Sequence, residues 1–163
     1  MNSNMLIGVD PGKSGGIAVI TWNFNNINTK ICTAYKCQDT VQKMSSFVKM
    51  LRKDAKHITC YIENVHAFPT DGRSSAFKFG VNFGMWQGIL SSFDIETEFI
   101  TPRTWQSFFG ELPKIKKDRK NMIKEIATRK TGIKSTLATA DAICIALYGF
   151  NIVTNKKSKW ITK

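Results

Sequence analysis

The chain has 163 residues, 42% hydrophobic and 22% charged, with 24 Lys and Arg against 12 Asp and Glu, a net charge of +12 and a pI near 9.7. That is enough chain for one domain with a real core, and no apolar run approaches the roughly 20 residues a membrane span needs. The basic excess favours a polyanionic partner, with nucleic acid the first candidate, over a generic solvated surface.

Taken in order, residues 5–9 (MLIGV) read as a buried strand and residues 16–22 as its hairpin partner across the turn DPGKSGG. Polar residues 23–30 lead into a third strand over 30–36. Within 40–52, Val41, Met44, Val48 and Leu51 recur at helical spacing. Residues 58–65 form a strongly apolar strand that carries one carboxylate, Glu63. A loop over 66–74 follows. The next helix spans 74–93, with Phe77, Val81, Met85, Ile89 and Leu90 on one stripe, and a fifth strand spans 95–100. Thr101 caps a helix that has Pro102 in its first turn. Residues 114–130 form a basic helix or helix pair, and 135–150 a closing helix. Residues 151–163 hold four lysines and no acid, and are expected to be a basic tail, disordered without its partner.

The first three strands make an antiparallel meander. The later two are reached through helical crossovers and should pair parallel. The expected fold is α/β, a five-stranded mixed sheet with helices on both faces. The cysteines, Cys32, Cys37, Cys60 and Cys144, form no CxxC pair and read as reduced, mostly buried thiols. His57 and His66 are too scattered for a zinc site. The first ten residues have no basic segment ahead of an apolar run, so the expectation is a soluble intracellular protein with no secretory signal.

Three carboxylates stand in apolar settings. Asp10 follows the first strand, Glu63 lies in CYIENV, and Asp141 lies in ATADAICIALYG near the start of a very apolar helix. Each alone has an ordinary explanation: a turn former, a solvent-facing strand residue or partner of a basic side chain, and a residue favoured by the helix dipole. Together they ask for a cation, because ionised carboxylates are costly to bury unpaired. The strand order makes the first strand and the Glu63 strand neighbours, so the three can converge. Oxygen ligands without His or Cys select Mg²⁺ or Mn²⁺. Gly12, Gly15 and Gly16 leave no side chains beside Asp10, which would let a phosphate backbone approach. The turn is not a P-loop, since the GxxxxGK[ST] spacing is absent.

The succession IGVDPGKSGGIAVI, YIENV, TPRTWQ and ADAICIALYG resembles the RuvC family of Holliday junction resolvases over roughly residues 5–150, and is most similar to its short phage-encoded members. The resemblance implies an RNase H-like nuclease domain over 1–150 ahead of the basic tail, 151–163. It implies a homodimer that cuts two opposed strands of a four-way DNA junction, leaving 5′-phosphate and 3′-hydroxyl ends. It also implies carboxylate-bound Mg²⁺, with Mn²⁺ as substitute and two ions per site. Asp10, Glu63 and Asp141 match the family's acidic positions. A fourth acidic or His ligand is usual three residues before the last Asp. Here that position is Ala138, so one metal should be held more weakly, with Asp118 the acid to stand in.

Between residues 111 and 130, eight basic residues face three acids. Lys116 and Lys117 lie closest to where similar proteins place a basic residue at the active site. Alternatively they solvate a helix face or bind distant phosphates. Lys114, Arg119, Lys120 and Lys124 are candidate phosphate contacts, as are Arg73, Lys78 and Arg103. In similar proteins an aromatic residue after the Glu63 strand enters the opened junction. Phe68 is the candidate here, with His66 nearer the family position. Trp105 belongs in the core. The rival readings are another nuclease of this fold acting on RNA–DNA hybrids or on forks and flaps, an actin-like kinase, and a non-catalytic branched-DNA binding module. The kinase would need a second lobe that 163 residues do not supply.

Overall fold

The computed structural model describes residues 3–161 apart from 13, 24–25, 56 and 65–71, with side chains to residue 155. β1 (Ser3–Val9), β2 (Gly16–Asn23) and β3 (Asn26–Lys36) form the expected antiparallel meander. β4 (His57–Glu63) pairs in parallel with the other edge of β1, and β5 (Glu96–Ile100) pairs in parallel with β4. The order is β3-β2-β1-β4-β5, so β1 is central.

Side-chain alternation splits the core into two layers. Met5, Ile7, Val9, Ile17, Val19, Cys60 and Ile62 face one side, where α1 (Val41–Asp54) contributes Met44, Val48 and Leu51, and α2 (Arg73–Ser92) contributes Trp86, Ile89 and Leu90. Leu6, Ala18, Ile20, Trp22 and Tyr61 face the other side. There they meet α3 (Pro102–Ser107), α4 (Lys116–Thr131) and α5 (Ala140–Ile161). Because both faces are covered, the central strands read as nearly continuous apolar runs.

The helix starts follow their caps. Thr40 accepts from the Lys43 amide at 3.3 Å, and Thr101 accepts from the Thr104 amide at 3.2 Å with Pro102 next in the chain. α4 is one helix and ends on Gly132 at φ 74°. Two apolar stripes differ from expectation. Val41 is half-exposed on α1. On α2 the buried set is Trp86, Ile89 and Leu90, whereas Phe77 is 73% and Val81 45% exposed.

The closing helix is displaced toward the C-terminus. Thr136 and Thr139 cap each other's amides at 3.0 and 3.3 Å, which makes a turn of the segment before residue 140. The helix then runs without a break through residue 150 to Ile161, so no element boundary falls at 150. Phe150, Ile152 and Val153 pack on the core and extend it, with Phe150 edge-on to Trp22 at 5.0 Å.

α5 also lies unusually close to β1. A Cβ on Gly8 would strike the Ala142 carbonyl oxygen and come within 2.5 Å of the Ala146 amide nitrogen. Only glycine leaves room for that backbone. No described helix is long and apolar enough to cross a membrane.

Candidate active site

Asp10 is the first residue beyond β1. Its amide donates to the Gly16 carbonyl at 3.0 Å, and its Oδ1 accepts from the Gly12 amide at 3.0 Å. Glu63 is the last residue of β4 and is 8% exposed. Val9 pairs with Ile62 in parallel, so Asp10 and Glu63 are the next residues in register on adjacent strands. Asp141 lies in the first turn of α5, one residue before the Ala142 carbonyl that rests on Gly8. The close seat of α5 therefore brings the third carboxylate to the carboxyl ends of the central parallel strands, where open α/β sheets bind ligands.

These three acids act on one another. Burial pushes Glu63 up to about 7, and the charges of Asp10 and Asp141 add to that effect. Burial and then Asp10 push Asp141 up to about 6. Asp10 is also raised, by burial, against the opposing pull of the Gly12 amide. Lys120 of α4 lowers the proton affinity of all three, and Arg119 lowers that of Asp141. Yet among the described residues no three His, Cys, Asp or Glu side chains form a group placed to hold a metal ion. The three nonetheless share an electrostatic field. In donor type and charge they suit a hard divalent cation, which would reverse the raised proton affinity.

Gly15 and Gly16 serve the chain's own packing. A Cβ on Gly15 would strike the Asp10 carbonyl oxygen and sit 2.7 Å from its Cγ, and one on Gly16 would sit 2.5 Å from the Ala138 carbonyl oxygen. The room they leave is filled by this chain's own backbone and by Asp10, not held open for a ligand. Ala138 itself is half-buried beside Gly16, and Asp118 is exposed in the first turn of α4.

Of the basic residues, Lys116 and Lys117 open α4 and are exposed, but the lysine to which the carboxylates respond is Lys120, one turn further on. Lys114 and Lys124 are exposed on the same segment, as are Arg73 at the start of α2 and Arg103 in α3. Arg119 is partly tied down, donating to the carbonyls of Pro113 at 3.3 Å and Lys114 at 3.2 Å. Lys78 borders a cleft of about 210 Å³ with Gly12, Cys37, Asp39 and Asn82. Phe68 and His66 lie outside the described residues. Cys32 and Cys37 are half-buried free thiols, and Cys60 and Cys144 buried ones.

Two supporting side chains gave no signal in the sequence. Asn82 of α2 donates its amide to the Pro11 carbonyl and so ties α2 to the turn that carries Asp10. Trp105 of α3 is fully buried, as expected of a core residue, but its Nε1 donates to Glu63 Oε1 at 2.8 Å.

Strand order 3-2-1-4-5, mixed pairing and helices on both faces define the class, an RNase H-like α/β fold with acids clustered at its strand ends. Among solved structures it is similar to RuvC of Thermus thermophilus in complex with Holliday junction substrate, with 15% identity and a TM-score of 0.58 over 93% of this chain and 96% of that one. A second Thermus thermophilus RuvC structure gives 16% identity and a TM-score of 0.59 over the same shares. The likeness establishes the RuvC architecture. No protein-family model and no curated protein matches the sequence.

Proposed function

We infer that this chain is a divalent-metal-dependent endonuclease that hydrolyses phosphodiesters of branched DNA, four-way junctions first among them. The observation that carries the reading is the mutual electrostatic influence of Asp10, Glu63 and Asp141, in a fold shared with a RuvC caught on a Holliday junction. A chain with net charge +12 suits such a polyanion.

Asp10, Glu63 and Asp141 would hold Mg²⁺ or Mn²⁺, two ions per site. A metal held there would supply activation of a water and stabilisation of the leaving 3′ oxygen, which would give 5′-phosphate and 3′-hydroxyl ends. Asp10 belongs to the central strand and acts on both other acids, which makes it the ligand best placed to be shared. Ala138 offers no side-chain ligand, so one of the two positions binds more weakly. Lys120 supplies positive charge where negative charge grows on the phosphate. Lys114, Lys116, Lys117, Arg119 and Lys124, with Arg73, Lys78 and Arg103, follow the DNA backbone, and Phe68 wedges into the opened junction centre.

A junction cut on two opposed strands needs two such sites, hence a homodimer. α2 offers a face for it: Phe77 and Val81 are exposed, and a Cβ at Gly80, Gly84 or Gly88 would meet nothing within 4 Å. Basic charge elsewhere on the chain leaves this uncharged stripe as the surface on which two copies meet with least repulsion.

The test is cleavage of a labelled four-way junction with Mg²⁺ or Mn²⁺, using duplex, fork and RNA–DNA hybrid as competitors. Paired symmetric nicks are expected, abolished in Asp10→Asn while junction binding persists. Equal cutting of forks would widen the substrate class to branched DNA generally. Tight binding without cutting under any metal would overturn the enzyme reading in favour of a binding module.

A further inference from the structure

We propose that Trp105 is a positioning residue of the candidate metal centre: its buried indole N–H holds the Glu63 carboxylate in the orientation that receives a divalent cation. This rests on reading Asp10, Glu63 and Asp141 as metal ligands.

The connection is short and stiff. Glu63 pairs with Ile100 where β4 and β5 end, and the Asn64 amide donates to the Ile100 carbonyl at 2.7 Å. The chain then turns at Thr101, whose side chain accepts from the Thr104 amide at 3.2 Å and shares a 2.8 Å hydrogen bond with the Thr104 hydroxyl. Pro102 fixes the first backbone angle of α3. Trp105 follows within that first turn and reaches back to Glu63 Oε1 at 2.8 Å. Phe109 stands edge-on to its indole at 6.5 Å. The carboxylate is thus gripped from a capped helix start that is itself registered to the end of the Glu63 strand.

The choice of donor matters. A buried indole must place its single N–H on an acceptor. Trp86 places its own on Cys37 Sγ at 3.2 Å, away from the acids. Trp105 places its N–H on an acid of the site, and an indole N–H neither titrates nor carries charge. It restrains one carboxylate oxygen without setting a fixed positive charge beside it, so it does not compete with a cation for the carboxylate. Outer groups that orient metal ligands in this way typically change metal affinity by about 10- to 100-fold when removed.

The experiment has two arms on the intact protein. In the wild type, indole N–H resonances are followed by NMR during Mg²⁺ titration. The resonance missing in Trp105→Phe should move on metal addition and be displaced in Glu63→Gln. In the second arm, Mn²⁺ binding is measured by calorimetry without DNA. Trp105→Phe should bind about 10-fold or more weakly, while Trp22→Phe, a substitution in the same core layer, should bind like wild type. A Trp105 resonance that ignores bound Mg²⁺, or unchanged Mn²⁺ affinity in a folded Trp105→Phe, overturns the proposal even if junctions are cut. Should Trp105→Phe fail to fold, Glu63→Gln identifies the resonance and the wild-type titration decides. A wild type that binds metal through this resonance but cuts no junction would sink the nuclease reading and leave Trp105's role standing. A wild type that binds no divalent ion overturns both.

Discussion

At the scale of single residues, the candidate site sets buried acids near enough for Asp10 to raise the proton affinity of Glu63 and Asp141. The consequence is a stability that falls as pH rises. The folded-state value for Glu63 is about 7, against an ordinary 4.5, so the folded state takes up its proton more readily than the unfolded chain. The stabilisation is complete below about pH 4.5 and is lost as pH rises through 7, a change on the order of 3 kcal/mol for this group alone. Chelator-treated protein should therefore melt at lower temperature at pH 7.5 than at pH 5. Adding Mg²⁺ at pH 7.5 should restore much of the difference, and a flat profile would contradict the burial of these acids.

The second residue-scale expectation separates two lysines. Lys120→Ala should slow junction cleavage by about 10²-fold, the usual cost of removing one group that stabilises developing charge. Lys116→Ala should mainly weaken DNA binding, and single-turnover rates at saturating enzyme separate the two effects. The three acids were legible in the sequence because carboxylates in apolar runs are conspicuous. Lys120 was read as a phosphate contact and not as the lysine acting on the acids, because a run of lysines gives no hint of which one lies nearest them until the helix start is known.

At the scale of elements, the strand order and both pairing senses could be read from the alternation of strands with crossovers, and the β1–β4 adjacency that joins Asp10 to Glu63 came with them. The burial of α2 could not. Apolar periodicity marks a face that avoids water, but it does not distinguish a core from a surface awaiting a partner, and Phe77 and Val81 are exposed. Gly15 and Gly16 misled for a related reason: absence of a side chain announces close approach without saying by what. Gly8 is the sharpest instance, and Gly8→Ala should lower stability by about 3 kcal/mol or more, since a Cβ would meet helix backbone that cannot step aside. Denaturant unfolding measures this directly. Gly80→Ala, on α2 with nothing within 4 Å, should by contrast leave the fold intact.

At the scale of the whole molecule, charge and architecture act together. The basic residues between 111 and 130 lie mainly on the solvent side of α4, because Ile123, Ile126 and Ala127 occupy its buried side. Junction affinity should fall steeply with salt, with a log–log slope of about −5 or steeper if six or more phosphates are contacted. Lys124→Ala should make that slope shallower by about one unit. Titrations at several salt concentrations with Asp10→Asn, which keeps the surface and removes cleavage, read it cleanly.

The seat of α5 on Gly8 also sets the order in which the candidate site comes together. Asp10 and Glu63 precede Asp141 in the chain, and neither has a third partner until the helix that begins at Ala140 has been made and has folded back onto the first strand. A chain that stops short of that helix carries Asp10 and Glu63 but lacks Asp141, so the candidate centre is incomplete. If the proposed function holds, truncation before Ala140 is expected to abolish cleavage, since it removes Asp141 together with the helix that covers this face of the sheet.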